Sequence, residues 1–241
     1  MEGARSAAIL TIGNELLSGD VENTNGSWLA RRLEAIGVSV RLIAVLPDDI
    51  AAIADFVRTS SQNADAVLVT GGLGGTPDDI TREALAAAFG VEQEEVRELA
   101  DELRGRFVSD PEYAARWAQL PAGSRPLENP LGGAPGFAIG NVYVLPGLPS
   151  EMEAMYERIE PELAADRPIG SWRRSYRTRE STIVNVLAES ARLHPGVLVG
   201  SYPRFSSAGP EVDVVLKSAD PEALRAAVAW IEDALEEAIR A

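Results

Sequence analysis

Hydrophobic positions in the first two thirds of the chain alternate between short continuous runs and stripes with helical spacing. The apolar run at residues 7–12 predicts a strand that is buried on both faces, and further strands are predicted at residues 38–45, 66–70 and 141–145. The stripes predict amphipathic helices at residues 25–36, 49–60, about 78–90 and 149–161, and two further helices up to about residue 118. This alternation predicts an α/β fold with a mostly parallel sheet and right-handed crossovers.

One segment of this region has neither periodicity. Residues 120–140 (LPAGSRPLENPLGGAPGFAIG) are rich in proline and glycine, which breaks both helices and strands. A connection of this length without secondary structure is uncommon in a compact domain unless it is functional. We therefore expect an irregular functional loop here.

The pattern changes again around residues 166–171. Residues 1–170 hold 13 basic and 27 acidic residues, a net charge of −14, whereas residues 171–241 have a net charge of only −1. We therefore predict two domains, 1–170 and 171–241. The second is predicted as a small α+β unit, with strands at 172–179, 197–202 and 211–217 and helices at 181–193 and 221–239.

Composition narrows the chemistry that the chain can carry. The 241 residues are 46% hydrophobic and 24% charged, which is typical of a globular protein. There is no cysteine, which excludes disulfides, thiolate metal sites and cysteine nucleophiles. His194 is the single histidine and precedes Pro195 and Gly196, so a surface turn explains it. Carboxylates must therefore carry the chemistry, and any metal should be a hard cation bound by oxygen.

The net charge of −15 excludes bare nucleic acid as an expected partner. Of the 22 basic residues only Lys217 is a lysine, a bias that fits either adaptation to high intracellular salt or a GC-rich genome. Residues 1–6 do not resemble a signal peptide, and no apolar run approaches the roughly 18 residues of a membrane helix. We expect a cytoplasmic protein without membrane contact.

Three unusual loops follow strands of the predicted sheet, at residues 13–19, 70–79 and 145–151. In a parallel sheet, ligands bind beyond the carboxyl ends of the strands, where such loops meet. The candidate ligand-binding residues in these loops and the helix that follows the first are Gly13, Asn14, Ser18, Asn23, Asn25, Thr70, Gly71, Gly72, Gly74, Thr76, Pro146, Gly147, Ser150 and Glu151.

The glycine-rich second loop precedes a helix, so its backbone amides could hold a phosphate; a purely structural turn is the alternative. Asp78 and Asp79 follow it as a candidate metal pair, because two carboxylates beside a phosphate repel it unless a divalent cation lies between them. Asp79 is also a candidate catalytic residue. The alternative for either aspartate is that it caps the next helix.

The first loop offers the candidate general base. Glu15 lies among small and apolar residues, as a metal or sugar ligand, a base with a raised pKa, or simply a solvated glutamate. Asn25 could contact a ribose or phosphate or could cap a helix, and Glu151 could stabilise its own helix start without a further role.

Four arginines cluster early in the second domain, at positions 173, 174, 177 and 179, on a predicted strand. Alternation along a strand would put three of them on one face. Such a face could bind phosphate or nucleic acid, or could pair with the acidic first domain, which is the interpretation that we favour.

Taken together, three segments resemble the N-terminal domain of the CinA family, a branch of the molybdopterin-binding fold of MogA, MoaB and gephyrin. They are TIGNELLSGDVENTNGSWLARRLEAIGV (11–38), VTGGLGGTPDDITREALAAAFG (69–90) and GGAPGFAIGNVYVLPGLPSEMEAM (132–155). The resemblance implies a three-layer, molybdopterin-binding-like first domain. One departure is Gly75, where the family usually has proline.

Residues 171–241 resemble the KH-type domain of longer CinA proteins, including the GSYP turn at 200–203. They contain no Gly-x-x-Gly loop of the kind that KH domains use to hold nucleic acid, so RNA is not an expected ligand. The resemblance also implies that the deamidase activity of the longer proteins is absent from this chain.

The resemblance implies a pyrophosphatase that splits ADP-ribose-like nucleotides into AMP and ribose 5-phosphate. It implies a divalent cofactor, which is cobalt, nickel, manganese or magnesium, with potassium as a further candidate, and a homo-oligomer, either a dimer or a trimer. In this interpretation Glu15 and Asp79 are catalytic. The alternatives are a molybdopterin-binding or adenylylating protein and a non-catalytic structural subunit.

Overall fold

The computed structural model describes residues 5–165, 168–207 and 209–240. Residues 166 and 167, within the segment where the sequence predicts the domain boundary, lie outside the described residues, as do residues 1–4, which belong to the segment without signal-peptide character. The chain folds into two compact units, of which the larger is Arg5–Ala165. No helix in the described ranges has the length and hydropathy of a membrane-spanning segment.

The larger unit alternates strands and helices. Its strands are β1 (Ser6–Ile12), β2 (Ser39–Leu46), β3 (Ala66–Thr70), β4 (Gln93–Glu95), β5 (Gln119–Pro121), β6 (Arg125–Leu127), β7 (Gly136–Ile139) and β8 (Val142–Leu145). Its α-helices are α1 (Asn14–Ser18), α2 (Thr24–Ala35), α3 (Ile50–Asn63), α4 (Thr81–Phe89), α5 (Arg97–Arg106), α6 (Pro111–Ala115) and α7 (Pro149–Leu163).

Six of these strands form one sheet in the order β2-β1-β3-β8-β7-β6. The first four are parallel to one another, and β7 and β6 continue the sheet in antiparallel pairing. The predicted α/β fold with a mostly parallel sheet is therefore confirmed. Because all four parallel strands run in the same direction, the turns that follow β1, β3 and β8 leave the same edge.

Helices cover both faces of the sheet, which gives three layers. Successive residues of β1 point to opposite faces: Ile9 packs with Leu29, Leu33 and Met155 from α2 and α7, and Leu10 packs with Ile53 and Leu85 from α3 and α4. Both cores consist mostly of buried aliphatic side chains, with the aromatic rings of Phe137 on one face and Tyr156 on the other. A strand with two apolar faces requires this arrangement, since each face must be shielded from water.

The expectation of an irregular loop at residues 120–140 is wrong. This segment contains most of β5 and all of β6 and β7, and β6 and β7 extend the main sheet. Each strand is only three or four residues long, too short for a periodic pattern to emerge among the prolines and glycines. Phe137 of β7 is nevertheless fully buried, so this part of the chain supplies a core residue.

The smaller unit forms its own antiparallel sheet. Its strands are β9 (Gly170–Tyr176), β10 (Leu198–Ser206) and β11 (Gly209–Ser218), in the order β10-β11-β9, and its helices are α8 (Glu180–Leu193) and α9 (Pro221–Arg240). Its core holds Ile183 of α8, Val214 of β11 and Ile231 of α9. A second, smaller region with a separate sheet was predicted, and this is confirmed.

The predicted arginine face is not formed. Strand β9 ends at Tyr176, so Arg177 and Arg179 lie beyond it. Arg174 donates to Glu232 of α9, within the same unit, at 2.7 Å. Arg173 has the opposite orientation, as alternation along a strand requires, and pairs with Asp213 at 3.4 Å.

Asp213 is the main buried charge of the smaller unit, with its side chain 6% exposed. Its carboxylate accepts hydrogen bonds from Ser175 (2.5 Å) and Arg204 (2.6 Å), and these partners together with Arg173 lower its pKa below the ordinary value of 3.8. A lowered pKa means that the carboxylate stabilises the unit above pH 3.8 and that this stability is lost as the pH falls further.

We therefore expect thermal unfolding of the smaller unit to become progressively easier as the pH falls below about 4. The Asp213→Asn variant should be less stable at pH 7 and should lose less further stability on acidification, because the titrating group is gone. Melting temperatures at several pH values between about 3 and 7 test this, with Asp233→Asn, an exposed aspartate of α9, as the control. An acid sensitivity that Asp213→Asn leaves unchanged would contradict the prediction.

Candidate functional site

The three loops singled out in the sequence meet at the carboxyl edge of the parallel strands. Gly71 donates its backbone amide to Leu145 (3.2 Å), and the Thr70 hydroxyl donates to the Pro146 carbonyl (2.6 Å). A Cβ atom on Gly147 would lie 3.3 Å from the α-carbon of Gly71, so these two turns touch. In the first loop, the Gly13 amide donates to the carbonyl of Leu46 at the end of β2.

Asn25 joins these segments through one side chain. Its amide nitrogen donates to the Thr70 hydroxyl (3.1 Å) and to the Gly147 carbonyl (2.8 Å). The residue is only 9% exposed, and its buried Oδ1 has no hydrogen-bond partner within the described residues. An unpaired buried carbonyl oxygen is costly, so this atom is the strongest candidate to accept a hydrogen bond from a ligand.

Asn25 does not cap helix α2, as the sequence suggested it could. The cap is Asn23, whose side-chain oxygen accepts from the Gly26 amide at 3.0 Å. Its amide nitrogen donates to the Thr11 hydroxyl at 2.9 Å, which fixes the start of the helix against β1. Because Asn23 takes the capping position, Asn25 falls inside the first turn, where its side chain is free to cross to β3.

A cavity of about 90 Å³ lies beside Asn25. It is lined by Thr11, Ile12, Glu15, Leu16, Val21, Glu22, Asn23, Thr24, Asn25, Thr70, Gly147 and Pro149. The structure therefore brings Glu15, Asn23, Asn25, Thr70 and Gly147 together, from all three predicted loops. Glu15 is exposed at this cavity, and its carboxylate folds back over Gly13, where a Cβ atom would collide with it.

Other candidates of the first loop lie outside this cavity. The Asn14 backbone amide donates to Asp48 (2.9 Å), which ties the loop to the end of β2. The Ser18 hydroxyl donates to the exposed Asp20 (2.7 Å). Both contacts stabilise the loop itself, and the predicted contact of either residue with a ligand stays a prediction.

Asp79 organises the glycine-rich loop. Its Oδ1 accepts from the Gly74 amide (2.8 Å), and its Oδ2 accepts from the Thr76 amide (2.9 Å) and hydroxyl (2.6 Å). Helix α4 begins only at Thr81, without a side-chain cap, so neither aspartate has the capping role that was the alternative. Asp79 holds the loop closed because both of its oxygens accept backbone donors.

Asp78 is exposed, and a hydrogen bond with Thr76 lowers its pKa. Neither Asp78 nor Asp79 lines the cavity beside Glu15. Among the residues that the structure describes, no group of three or more acidic or histidine side chains could hold a metal ion by itself. The residues therefore fit only a site that a ligand completes with its own phosphate oxygens, the usual way in which Mg²⁺ binds to one or two carboxylates.

The third turn leads into α7. Ser150 is exposed, and Glu151 accepts a hydrogen bond from the buried Asn129 at 2.9 Å. Asn129 also donates to the Ala134 carbonyl (3.0 Å), so Glu151 is tied to the segment between β6 and β7. A Cβ atom on Gly133 would collide with the Glu151 carboxylate. Glu151 thus has a structural contact that the sequence did not reveal.

Two residues beside the glycine-rich loop were missed. Arg82, on the first turn of α4, is 5% exposed and donates to the loop carbonyls of Leu73 (2.7 Å) and Gly74 (3.4 Å). The sequence contains one sign of this burial, because Arg82 lies on the same helical stripe as Leu85 and Ala86. Tyr113 of α6 lies against Gly75, and this contact between distant positions leaves no local pattern.

The contact with Tyr113 predicts a specific coupling. A Cβ atom on Gly75 would collide with the Tyr113 hydroxyl, so Gly75→Ala should lower the free energy of unfolding by about 1 kcal/mol. In a Tyr113→Ala background the same change should have almost no effect, because the obstructing ring is gone. Denaturant unfolding of the four proteins measures this coupling energy. Equal effects in both backgrounds would contradict it.

The family of the chain follows from comparison with known proteins. Residues 8–165 match the family described as "Probable molybdopterin binding domain", which covers more than half of the sequence. The chain belongs to this molybdopterin-binding domain family. The match contains all three loops and the whole of the six-stranded sheet except for its first two residues.

Individual relatives agree with this family. A protein of Pyrobaculum aerophilum is 39% identical over 97% of this chain and 94% of its own length. A CinA-like protein of Frankia casuarinae is 40% identical over 76% of this chain and 47% of its own length, so the chain aligns with about half of that relative. A solved structure of CinA from Thermoplasma acidophilum, of unknown function, superposes on 66% of this chain and 98% of its own, with a TM-score of 0.63 and 34% identity.

These relatives confirm the resemblance of the first part of the chain to the N-terminal domain of CinA proteins. For the second part, the comparison differs from the expectation. Residues 175–241 match the family described as "FAD synthase, middle domain", and not the KH-type domain that the resemblance suggested. The GSYP segment lies within strand β10, so it does not form the turn that carried the KH comparison.

Proposed function

We propose that the glycine-rich loop and the cavity beside Asn25 bind the diphosphate of an ADP-ribose-like nucleotide, which the protein hydrolyses to AMP and ribose 5-phosphate. The observation that carries this proposal is the convergence of three turns on one edge of the sheet, with the unpartnered Oδ1 of Asn25 beside the cavity that they surround. Membership of a molybdopterin-binding domain family supports a nucleotide or pterin as the ligand.

The loop supplies donors for the phosphates. In the described part of the chain, the amides of Gly72 and Gly75 donate to no protein acceptor, whereas the neighbouring amides of Gly71 and Gly74 are used within the fold. Free amides before a helix favour an anion, and the α4 dipole adds to this attraction. Oriented N–H groups of this kind stabilise charge that develops on phosphate oxygens during hydrolysis.

Asp78 and Asp79 would hold a divalent cation together with the ligand's phosphate oxygens; cobalt, nickel, manganese and magnesium are the candidates, with potassium as an additional ion. Such a cation would polarise the bridging phosphate and lower the pKa of a bound water. Of the two aspartates, Asp78 has the solvent-facing carboxylate, and Asp79 fixes the loop on which both lie.

Glu15 is the proposed general base. Its carboxylate is exposed at the cavity, and as a hydrogen-bond acceptor it can orient a water and take its proton. Asn25, Thr70 and Gly147 line the same cavity and would bind the nucleoside or ribose hydroxyls. These hydrogen-bonding groups lie above an apolar sheet, so they are the groups that would orient a polar ligand in the cavity.

The direct test is release of AMP from ADP-ribose with each of the four metals, at low and at high salt. We expect Glu15→Gln to lower kcat by about 100-fold or more without changing the melting temperature, because only the proton acceptor is removed. Glu157→Gln, an exposed glutamate of α7 that does not line the cavity, is the control and should stay within about twofold of the parent protein. No turnover with any metal would rule out the proposed hydrolase.

A second candidate function is pterin binding without hydrolysis, as in assembly of the molybdenum cofactor. The family match over residues 8–165 favours it. Thermal-shift measurements with molybdopterin and with ADP-ribose separate the two, since a ligand that binds the native state raises its melting temperature. The predicted homo-oligomer can be measured in the same samples by light scattering.

A further inference from the structure

The guanidinium of Arg82 is buried directly beneath the glycine-rich loop. The residue is only 5% exposed, and its Nη1 and Nη2 atoms donate to the carbonyls of Gly74 and Leu73. Its Nε has no hydrogen-bond partner within the described residues. The hydrogen-bond partners of this positively charged group are therefore two loop carbonyls and no carboxylate.

Several other arginines of the larger unit have acidic partners. Arg32 pairs with Glu160 at 2.7 Å, and Arg104 pairs with Glu95, Asp101 and Glu112. No ion pair of Arg82 is formed within the described residues. Burial lowers the pKa of Arg82 to about 10, against the weaker opposing effects of Glu83 and Asp79, and the group is still charged at pH 7. A buried charge without a direct ion pair is costly.

Arg82 and its neighbour Thr81 together orient the carbonyls of the glycine-rich loop. The Thr81 hydroxyl donates to the Gly71 carbonyl (2.8 Å), and the Thr81 amide donates to the Gly72 carbonyl (3.2 Å). Together with the two contacts of Arg82, the carbonyls of residues 71–74 are all held by the first two residues of α4. When consecutive carbonyls point to one side, the intervening amides point away from it and form a concave anion site.

We propose that Arg82 is a positioning residue for a polyanionic ligand: it turns the loop carbonyls inward, and its unpaired charge attracts the diphosphate that the exposed loop amides bind. The ligand would thus add a negative charge to a guanidinium that has no direct ion pair within the described residues. This inference rests on the proposed function only for the class of ligand, a diphosphate, and not for its hydrolysis.

Inorganic pyrophosphate in the presence of EDTA tests the inference without metal or turnover. Calorimetric titration of the full chain should give an affinity about tenfold weaker for Arg82→Gln, which keeps donors for the carbonyls but has no charge. Arg82→Lys keeps the charge and should bind pyrophosphate within about threefold of the parent protein. Arg58→Gln, an exposed arginine on α3, is the control and should bind unchanged.

A purely structural role for Arg82 would lower the melting temperature of both variants but leave their pyrophosphate affinity equal to that of the parent, and this result would overturn the inference. If Arg82→Gln does not fold, the parent protein and Arg82→Lys still test whether pyrophosphate binds at the loop. Their melting temperatures should rise with pyrophosphate more than with potassium chloride at equal ionic strength. The absence of that difference would overturn the inference.

The inference and the proposed function can fail separately. If pyrophosphate binding depends on Arg82 but no AMP is released from ADP-ribose, the inference is supported and the proposed hydrolase activity is ruled out. If Arg82→Gln releases AMP with an unchanged KM, the proposed hydrolase activity is supported and the role of Arg82 in ligand binding is ruled out. If both hold, the substitution should raise KM about tenfold and change kcat little, because Arg82 contributes to binding more than to the chemical step.

Discussion

Replacing Gly71 by alanine is expected to lower the free energy of unfolding of the larger unit by about 3 kcal/mol or more. Gly71 has a φ of +110°, a backbone conformation that residues with a side chain rarely adopt. A Cβ atom there would also collide with the Ile12 carbonyl oxygen at the end of β1. Gly71 directly follows β3 and Ile12 ends β1, so neither can move away without disturbing the pairing of these two strands.

For a unit of this size, such a loss corresponds to a fall in melting temperature of about 6–12 °C. Gly90→Ala is the matched control, since Gly90 also has a positive φ (+66°) but no atom lies within 4 Å of its Cβ position. That change should cost only about 1 kcal/mol, the strain of the left-handed conformation. Similar melting temperatures for the two variants would contradict the role of the contact with Ile12.

The Asp79→Asn variant should lose pyrophosphate binding almost completely, by about 100-fold, in the absence of metal. An asparagine presents an N–H₂ group where one carboxylate oxygen now accepts, so it cannot satisfy the Gly74 amide and both donors of Thr76 together. The loop then no longer holds its amides in one orientation. Calorimetric titration with pyrophosphate in EDTA measures this loss.

Asp78→Asn is the matched comparison. Its carboxylate is exposed, and its proposed task is to hold the cation, so metal-free binding should be unchanged. The variant should instead need about tenfold more metal for half-maximal AMP release. If the two substitutions weaken metal-free pyrophosphate binding equally, the division of roles between the two aspartates is wrong.

The sequence predicted the parallel sheet correctly because β1, β3 and β8 are mostly apolar and fully or nearly fully buried, and helices α2, α3 and α7 present clear apolar stripes. Strands β6 and β7 escaped prediction because they are short and lie among prolines and glycines, and the pairing of β7 with β8 and of β6 with β7 leaves no local pattern. The arginines after Tyr176 were placed on a strand for a related reason, since the end of β9 is not marked in the sequence.

The sequence predicted where the candidate site lies but not which side chains contact one another there. The rule that parallel strands end at one edge brought Glu15, Thr70 and Gly147 to the same place. Asn23 caps α2 and Asn25 crosses to β3. A helix start two residues later would exchange these roles, and only the three-dimensional packing decides where the helix starts. The buried Arg82 was missed because its partners are backbone carbonyls, which every residue has.

The side chain of Asn25 also limits how this protein can change over evolution. It spans segments that are 45 and 122 residues away along the chain, and it holds them at fixed distances. Insertion of one residue into any of the three turns would pull at least one partner out of reach. The lengths of these turns are therefore constrained jointly, so that substitutions, rather than insertions or deletions, are the route by which the cavity can acquire a different ligand.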